Sequence, residues 1–213
     1  VDEIDRHAEL FVAVMKRLSN RFVGARFVVP LVTRETRERF ENVLWRDAEA
    51  LVPQVQLLFG HADFALRAAD VALVASGTAT LEAAMLGVPQ VVSYRVSALT
   101  AMIVRRKLKS PYVSLPNILA NDWCVPELLQ EAATEDALDS ALSCLIAQPR
   151  LAGTMRDAYA RMGDALRPPV SPDSDPLANG ASSTFWTTSV ILPAALIVVC
   201  VLGGIAIFNK RDI

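Results

Sequence analysis

Four short, mostly apolar and β-branched runs constrain this chain more than any other feature. They are Phe27–Val32, Val55–Phe59, Val71–Ala75 and Gln90–Tyr94. Runs of this length and content read as strands buried on both faces. Helical patterns stand between them. Glu3–Asn20 carries Ile4, Phe11, Val14, Met15 and Leu18 on one face, and the charged stretch Arg34–Leu51 follows Thr33 as its cap. Shorter helices are predicted over Ala62–Ala69 and Ala79–Leu86, and a basic helix over Ser97–Lys109. Tyr112–Leu115 reads as a last short strand, and two or three amphipathic helices fill Pro126–Leu166. Strand and helix alternating at this spacing imply right-handed βαβ crossovers and a parallel sheet covered on both faces. The fold class is α/β, doubly wound.

The chain's end follows a different rule. Of the 213 residues 53% are hydrophobic, above the roughly 45–50% of soluble domains, and the excess sits late in the sequence. No Asp, Glu, Lys or Arg occurs from Pro176 through Asn209. Within that stretch Trp186–Phe208 is predominantly apolar, and about 20 such residues span a bilayer core. Trp186 stands at one end and Lys210-Arg211 at the other, as interfacial anchors do. Residues 185–209 are therefore predicted as one transmembrane helix. A buried core helix is the competing reading, against which stand the length, Pro193 and Gly203-Gly204. Residues 168–184, rich in Pro, Ser, Asp and Gly, read as a flexible linker, which leaves residues 1–167 as the globular part. Lys210 and Arg211 would place the C-terminus in the cytoplasm and the globular part outside, yet no N-terminal signal segment is present to export it.

Several function classes drop out. A net charge of −2 gives no electrostatic footprint for nucleic acid, and a chain this apolar is not disordered. Cys124, Cys144 and Cys200 form no metal-spaced pair and read as reduced thiols. His7 and His61 are isolated. No metal and no cofactor are expected.

In doubly wound sheets, ligands bind outside the carboxyl ends of the strands. The loop with suitable content there is Ser76-Gly77-Thr78-Ala79-Thr80-Leu81-Glu82. Gly77 lets backbone approach a ligand. Ser76, Thr78 and Thr80 offer hydroxyls, and the N-terminus of the following helix favours phosphate oxygens. Glu82, one turn on, can accept hydrogen bonds from a ribose diol, as acidic residues do in other nucleotide folds. The same pattern fits an ordinary capped turn with Glu82 as a first-turn acid. A second feature is the run Arg95, Arg105, Arg106, Lys107, Lys109 around apolar positions. It suits anionic lipid or lipid phosphate, and equally a solvated helix face. A third is Asn117, with donor and acceptor both available at a strand end.

Three segments, ADVALVASGTATLEAAMLGVPQVVSYR (69–95), KSPYVSLPNILAND (109–122) and VPELLQE (125–131), together resemble the lipid-A-disaccharide synthase family. These are bacterial inverting hexosyltransferases of the GT-B fold, and the resemblance covers roughly residues 1–167. It implies transfer of 2,3-diacylglucosamine from its UDP donor to 2,3-diacylglucosamine 1-phosphate, forming a β-1,6 linkage and releasing UDP, without a metal. By this resemblance Ser76, Gly77 and Thr78 hold the diphosphate, Glu82 the ribose, and Arg95 and Asn117 lie at the donor site. The basic helix with Arg105, Arg106, Lys107 and Lys109 meets the cytoplasmic face of the bacterial inner membrane, and a homodimer is a further expectation. The sequence departs from the family in three respects. It lacks the N-terminal Rossmann-like domain with its acidic general base, and the strand and G-S-R loop that precede the segment resembling residues 1–10. It also carries a tail the family does not have. Neighbours of that missing first strand are expected to show unpaired edges, and residues 1–167 alone are expected to be poorly stable and inactive. The alternative is a catalytically inactive, membrane-tethered nucleotide-sugar-binding remnant, or a chimeric chain.

Overall fold

The computed structural model describes residues 2–75, 77–95, 111–166 and 205–208. The long amphipathic pattern at the start forms α1 (Asp2–Arg21), which buries Phe11, Val14, Met15 and Leu18. A turn through Gly24, at φ 87°, leads into β1 (Arg26–Leu31). Thr33 then caps α2 (Arg34–Ala48). Its Oγ1 accepts from the Thr36 backbone N–H at 3.1 Å while Thr36 Oγ1 accepts from the Thr33 backbone N–H at 3.2 Å. A 3-10 turn (Glu49–Gln54) precedes β2 (Val55–Phe59). The chain continues through α3 (Ala62–Arg67), β3 (Val71–Val74), α4 (Gly77–Met85) and β4 (Gln90–Tyr94). α4 stops at Gly87, φ 71°, where the Gly87 and Val88 N–H groups donate back to the Ala84 and Ala83 carbonyls, as in a Schellman cap.

Beyond the undescribed stretch 96–110 come α5 (Leu115–Ala120), β5 (Glu127–Leu129), α6 (Glu135–Ala147) and α7 (Pro149–Leu166). Two expectations change here. Residues 112–115 do not form a strand. The backbone N–H groups of Val113 and Ser114 donate to the Glu127 carboxylate, and Pro116 sits in the first turn of α5, where its fixed φ favours a helix. The edge strand is instead Glu127–Leu129, which pairs in parallel with Val92–Tyr94.

The sheet order is β2-β1-β6-β3-β4-β5, with β6 formed by Ile205–Phe208. Among the described residues, five strands run parallel and β6 alone is antiparallel to both neighbours. Alternate side chains divide between two layers. Phe27, Val29, Leu31, Val71 and Leu73 join a large core with Phe11, Phe40, Leu138 and Leu142 from α1, α2 and α6. Ala72 and Val74 pack with Leu66 and Ala83 from α3 and α4, and Val28 with Ala65. The helices change face between β2 and β3, so the switch point of this doubly wound sheet lies at its middle.

Two readings of the tail are corrected at this point. Residues 205–208, predicted as the end of a membrane-spanning helix, are a strand hydrogen-bonded on both sides. The expected unpaired inner edges of β1 and β3 are the edges that β6 occupies. The remainder of the predicted span, and the linker 168–184, lie outside the described residues. Among the described residues, no helix is long and apolar enough to cross a membrane.

Candidate functional site

The carboxyl end of β3 feeds directly into α4 across residue 76, which lies outside the described residues. Gly77 is the first residue of the helix, and a Cβ built there meets no atom within 4 Å. Among the described residues, packing therefore does not demand glycine at this position. Thr78 is exposed beside it. Glu82, four residues on, falls on the same helix face and is also exposed. Crowding of its carboxyl, and then the neighbouring charge of Asp63, raise its pKa above the ordinary value of 4.5.

Thr80 faces the other way. It is fully buried, its Oγ1 donates to the Gly77 carbonyl at 2.5 Å, and its own carbonyl accepts from Gln90 Nε2 at 2.8 Å. Gln90 in turn donates to the Tyr159 hydroxyl at 3.2 Å, and burial raises the pKa of that phenol. This chain of bonds fixes the first turn of α4 against β4 and α7. Thr80 braces the loop, while Gly77, Thr78 and Glu82 form its open side.

Arg95 follows β4 at the same carboxyl edge. Its backbone N–H donates to His7 Nε2 at 3.1 Å, and its guanidinium donates to the Ala133 carbonyl just before α6. It lines an open cavity of about 810 Å³ shared with Lys16, Arg17, Arg46, Glu135 and Asp136. The charges there are matched internally. Arg17 meets Glu135 at 3.1 Å and also Asp136, while Arg46 meets Glu9 and Asp47, each at 2.7 Å. The Arg46 guanidinium lowers the pKa of Asp47. This groove lies among α1, α2 and the start of α6, and among the described residues none from α4 lines it.

Asn117 is completely buried in α5, and both ends of its amide are engaged. Nδ2 donates to the Val125 carbonyl and to Glu127 Oε1, both at 2.8 Å. Oδ1 accepts from the backbone N–H groups of Cys124 at 2.9 Å and Val125 at 2.8 Å, and from the Cys124 thiol at 3.2 Å. Burial raises the pKa of that thiol. Glu127 gathers the loop from the other side, accepting from Val113 N at 3.0 Å, Ser114 N at 2.8 Å and Ser114 Oγ at 2.7 Å. The helix this network holds packs against α4.

Arg105, Arg106, Lys107 and Lys109 lie outside the described residues, as does Ser76. Sequence reasoning passed over two residues that organise the site. Glu127 stood in the VPELLQE segment without a role, although a half-buried acid beside a Ser-Leu-Pro-Asn turn signals a demand for backbone donors. His7 is isolated in sequence, and only the fold brings it to Arg95.

Residues 1–171 match the family described as lipid-A-disaccharide synthetase. The lipid-A-disaccharide synthase of Chromobacterium violaceum is 41% identical over 165 residues, covering 78% of this chain and 42% of that protein. The protein of the same name from Thiobacillus denitrificans is 47% identical over 167 residues, 78% of this chain and 40% of that one. For the Aromatoleum aromaticum protein the values are 50% over 141 residues, 66% and 36%. The chain thus spans about two fifths of the length of the curated relatives it matches. With the match covering most of its length, this chain belongs to the lipid-A-disaccharide synthetase family.

Proposed function

We propose that this chain is the donor-binding half of a lipid A disaccharide synthase and holds the UDP portion of UDP-2,3-diacylglucosamine at the β3–α4 loop. The observation that carries the reading is the placement of Gly77, the exposed Thr78 and the exposed Glu82 along the start of α4, at the carboxyl edge of a doubly wound sheet. Backbone N–H groups at that helix end and the Thr78 hydroxyl are donors for the diphosphate, with Ser76 completing the loop. Glu82, on the same face, accepts from the ribose diol. Arg95 supplies a cation at the neighbouring strand end, and Asn117 shapes the adjoining turn from within. Thr80 holds the loop's first turn in place.

The reaction is a displacement at the donor's anomeric carbon. The 6-hydroxyl oxygen of 2,3-diacylglucosamine 1-phosphate bonds to that carbon, the bond to UDP breaks, and UDP leaves with the electron pair. The hydroxyl proton passes to a general base, assigned to the part of the relatives with which this chain does not align. The basic run Arg105, Arg106, Lys107 and Lys109 suits contact with anionic lipid at the cytoplasmic face of the inner membrane.

Calorimetric titration of the full chain with UDP tests the site. Saturable binding is expected, with Glu82→Ala and Gly77→Ala each weakening it at least tenfold, roughly 1.4 kcal/mol. Gly77→Ala should do so with no loss of thermal stability, because a Cβ fits there and alanine favours a helix. Absence of any UDP heat at millimolar concentration sinks the reading.

A further inference from the structure

Arg95 is held at both ends by parts of the chain outside the β3–α4 loop. The pairing of β4 ends at Tyr94, opposite Leu129, so Arg95 is the first residue past the ladder. Its backbone N–H goes to a side chain instead of a strand, donating to His7 Nε2 at 3.1 Å. That imidazole is fully buried in α1 and meets the Phe11 ring edge-on, with centroids 5.5 Å apart. An apolar side chain would fill such a place without the cost of burying a polar ring. What histidine adds is an acceptor. A ring nitrogen that accepts carries no proton, so this imidazole is neutral, with its proton on Nδ1. The guanidinium of Arg95 donates to the Ala133 carbonyl. Thr134 caps α6, its Oγ1 accepting from the Ala137 N–H at 3.2 Å, and the carbonyl before a cap lies outside the helix's own bonding. Both anchors share one frame, because Arg17–Glu135 at 3.1 Å and Arg21–Asp139 at 2.8 Å tie α1 to α6. A guanidinium has five N–H donors. The Ala133 carbonyl engages one nitrogen, and the side chain borders an open cavity.

We propose that His7 is a positioning residue for UDP binding, acting through Arg95. Its neutral Nε2 sets where the backbone leaves β4, and the Ala133 carbonyl sets the guanidinium, so that Arg95 meets the diphosphate already ordered. A preset arginine loses less rotamer freedom on binding than a loose one, and the difference appears as affinity. His7 itself touches no ligand. The inference rests on the reading of the β3–α4 loop as a UDP site, and adds to that site a residue from the opposite end of the domain's sequence.

The test is calorimetric titration of the full chain and its variants with UDP. His7→Leu removes the acceptor and should weaken binding about fivefold or more. His7→Gln returns an acceptor oxygen to nearly the same place and should stay within about twofold of the unaltered chain. His7→Met matches glutamine in length without its amide oxygen, and repeats the comparison if the leucine variant does not fold. In an Arg95→Ala background the same His7 change should weaken binding by less than about twofold further. General loosening of the fold would carry over into that background undiminished, whereas an effect transmitted through Arg95 has nothing left there to act on. Three results overturn the positioning role: UDP affinity unchanged by His7→Leu or His7→Met, a loss that persists in full in the Arg95→Ala background, or His7→Gln as weak as the variants without an acceptor. If Glu82→Ala still weakens UDP binding in any of those cases, the UDP site stands and only the role of His7 falls. An unaltered chain that binds no UDP overturns both.

Discussion

Glu82 carries a pH signature of its own. Its carboxyl is crowded and faces the charge of Asp63, so its pKa in the folded chain lies above 4.5. The folded state then holds this proton more tightly than the unfolded chain does. Stability from this group is fully present below 4.5 and declines as pH rises through the folded value. Glu82→Gln should therefore raise the urea midpoint at pH 7 and leave it unchanged at pH 4, which paired denaturation curves would show. Ligand binding runs the other way, because only the carboxylate accepts two hydrogen bonds from a diol. UDP affinity should fall on acidification with a midpoint above 4.5, and Glu82→Gln should remove that midpoint. Both trends come from one residue, and opposite signs separate them. The carboxylate's position on the helix follows from spacing in the sequence. Its neighbour Asp63, on a different helix, does not.

At the scale of elements, the turn around α5 shows how a polar network overrides a local pattern. Tyr112–Leu115 has strand composition, yet Glu127 draws off its backbone N–H groups and Pro116 starts a helix. Asn117 ties this turn to the strand that does form. Replacing Asn117 by alanine strips partners from the buried Val125 N–H and carbonyl. Each unsatisfied buried group costs about 1–3 kcal/mol, so Asn117→Ala should destabilise the chain by ~2–4 kcal/mol in chemical denaturation. Asn117→Asp should also be damaging, because it sets a second carboxylate beside Glu127 in place of a donor. Elements decided by short-range chemistry were readable in advance. α1 follows from its apolar face, and α2 from the Thr33 cap. The β1 to β4 runs follow from uninterrupted burial on both faces. Elements whose bonds come from a distant side chain were not readable, which is why β5 and α5 exchanged roles.

For the whole molecule, α1 is the piece that joins both halves of the sheet. It packs on α2 over β1 and on α6 over β3, and Phe11 and Met15 lie in that seam with no more than 1% exposure. Removing the Phe11 ring should cost about 3–5 kcal/mol. Phe11→Ala is expected to lower stability by that amount without changing the cooperativity of unfolding, measurable as a shifted urea midpoint at constant m. The sequence by itself determined the doubly wound α/β class, the order of its first eight elements and the loop at the end of β3. These depend on periodicity, capping and turn chemistry within short windows. The tertiary structure alone decided that Arg95 and His7 meet, that Glu127 anchors the turn of Asn117, and that Ile205–Phe208 lies in the centre of the sheet. A charge-free apolar segment satisfies a bilayer and a buried strand slot equally well, because both reward the same absence of polar side chains. What distinguishes them here is the pairing of Ile205–Phe208 with β1 and β3, strands more than a hundred residues upstream, and only the folded chain brings those strands to the segment.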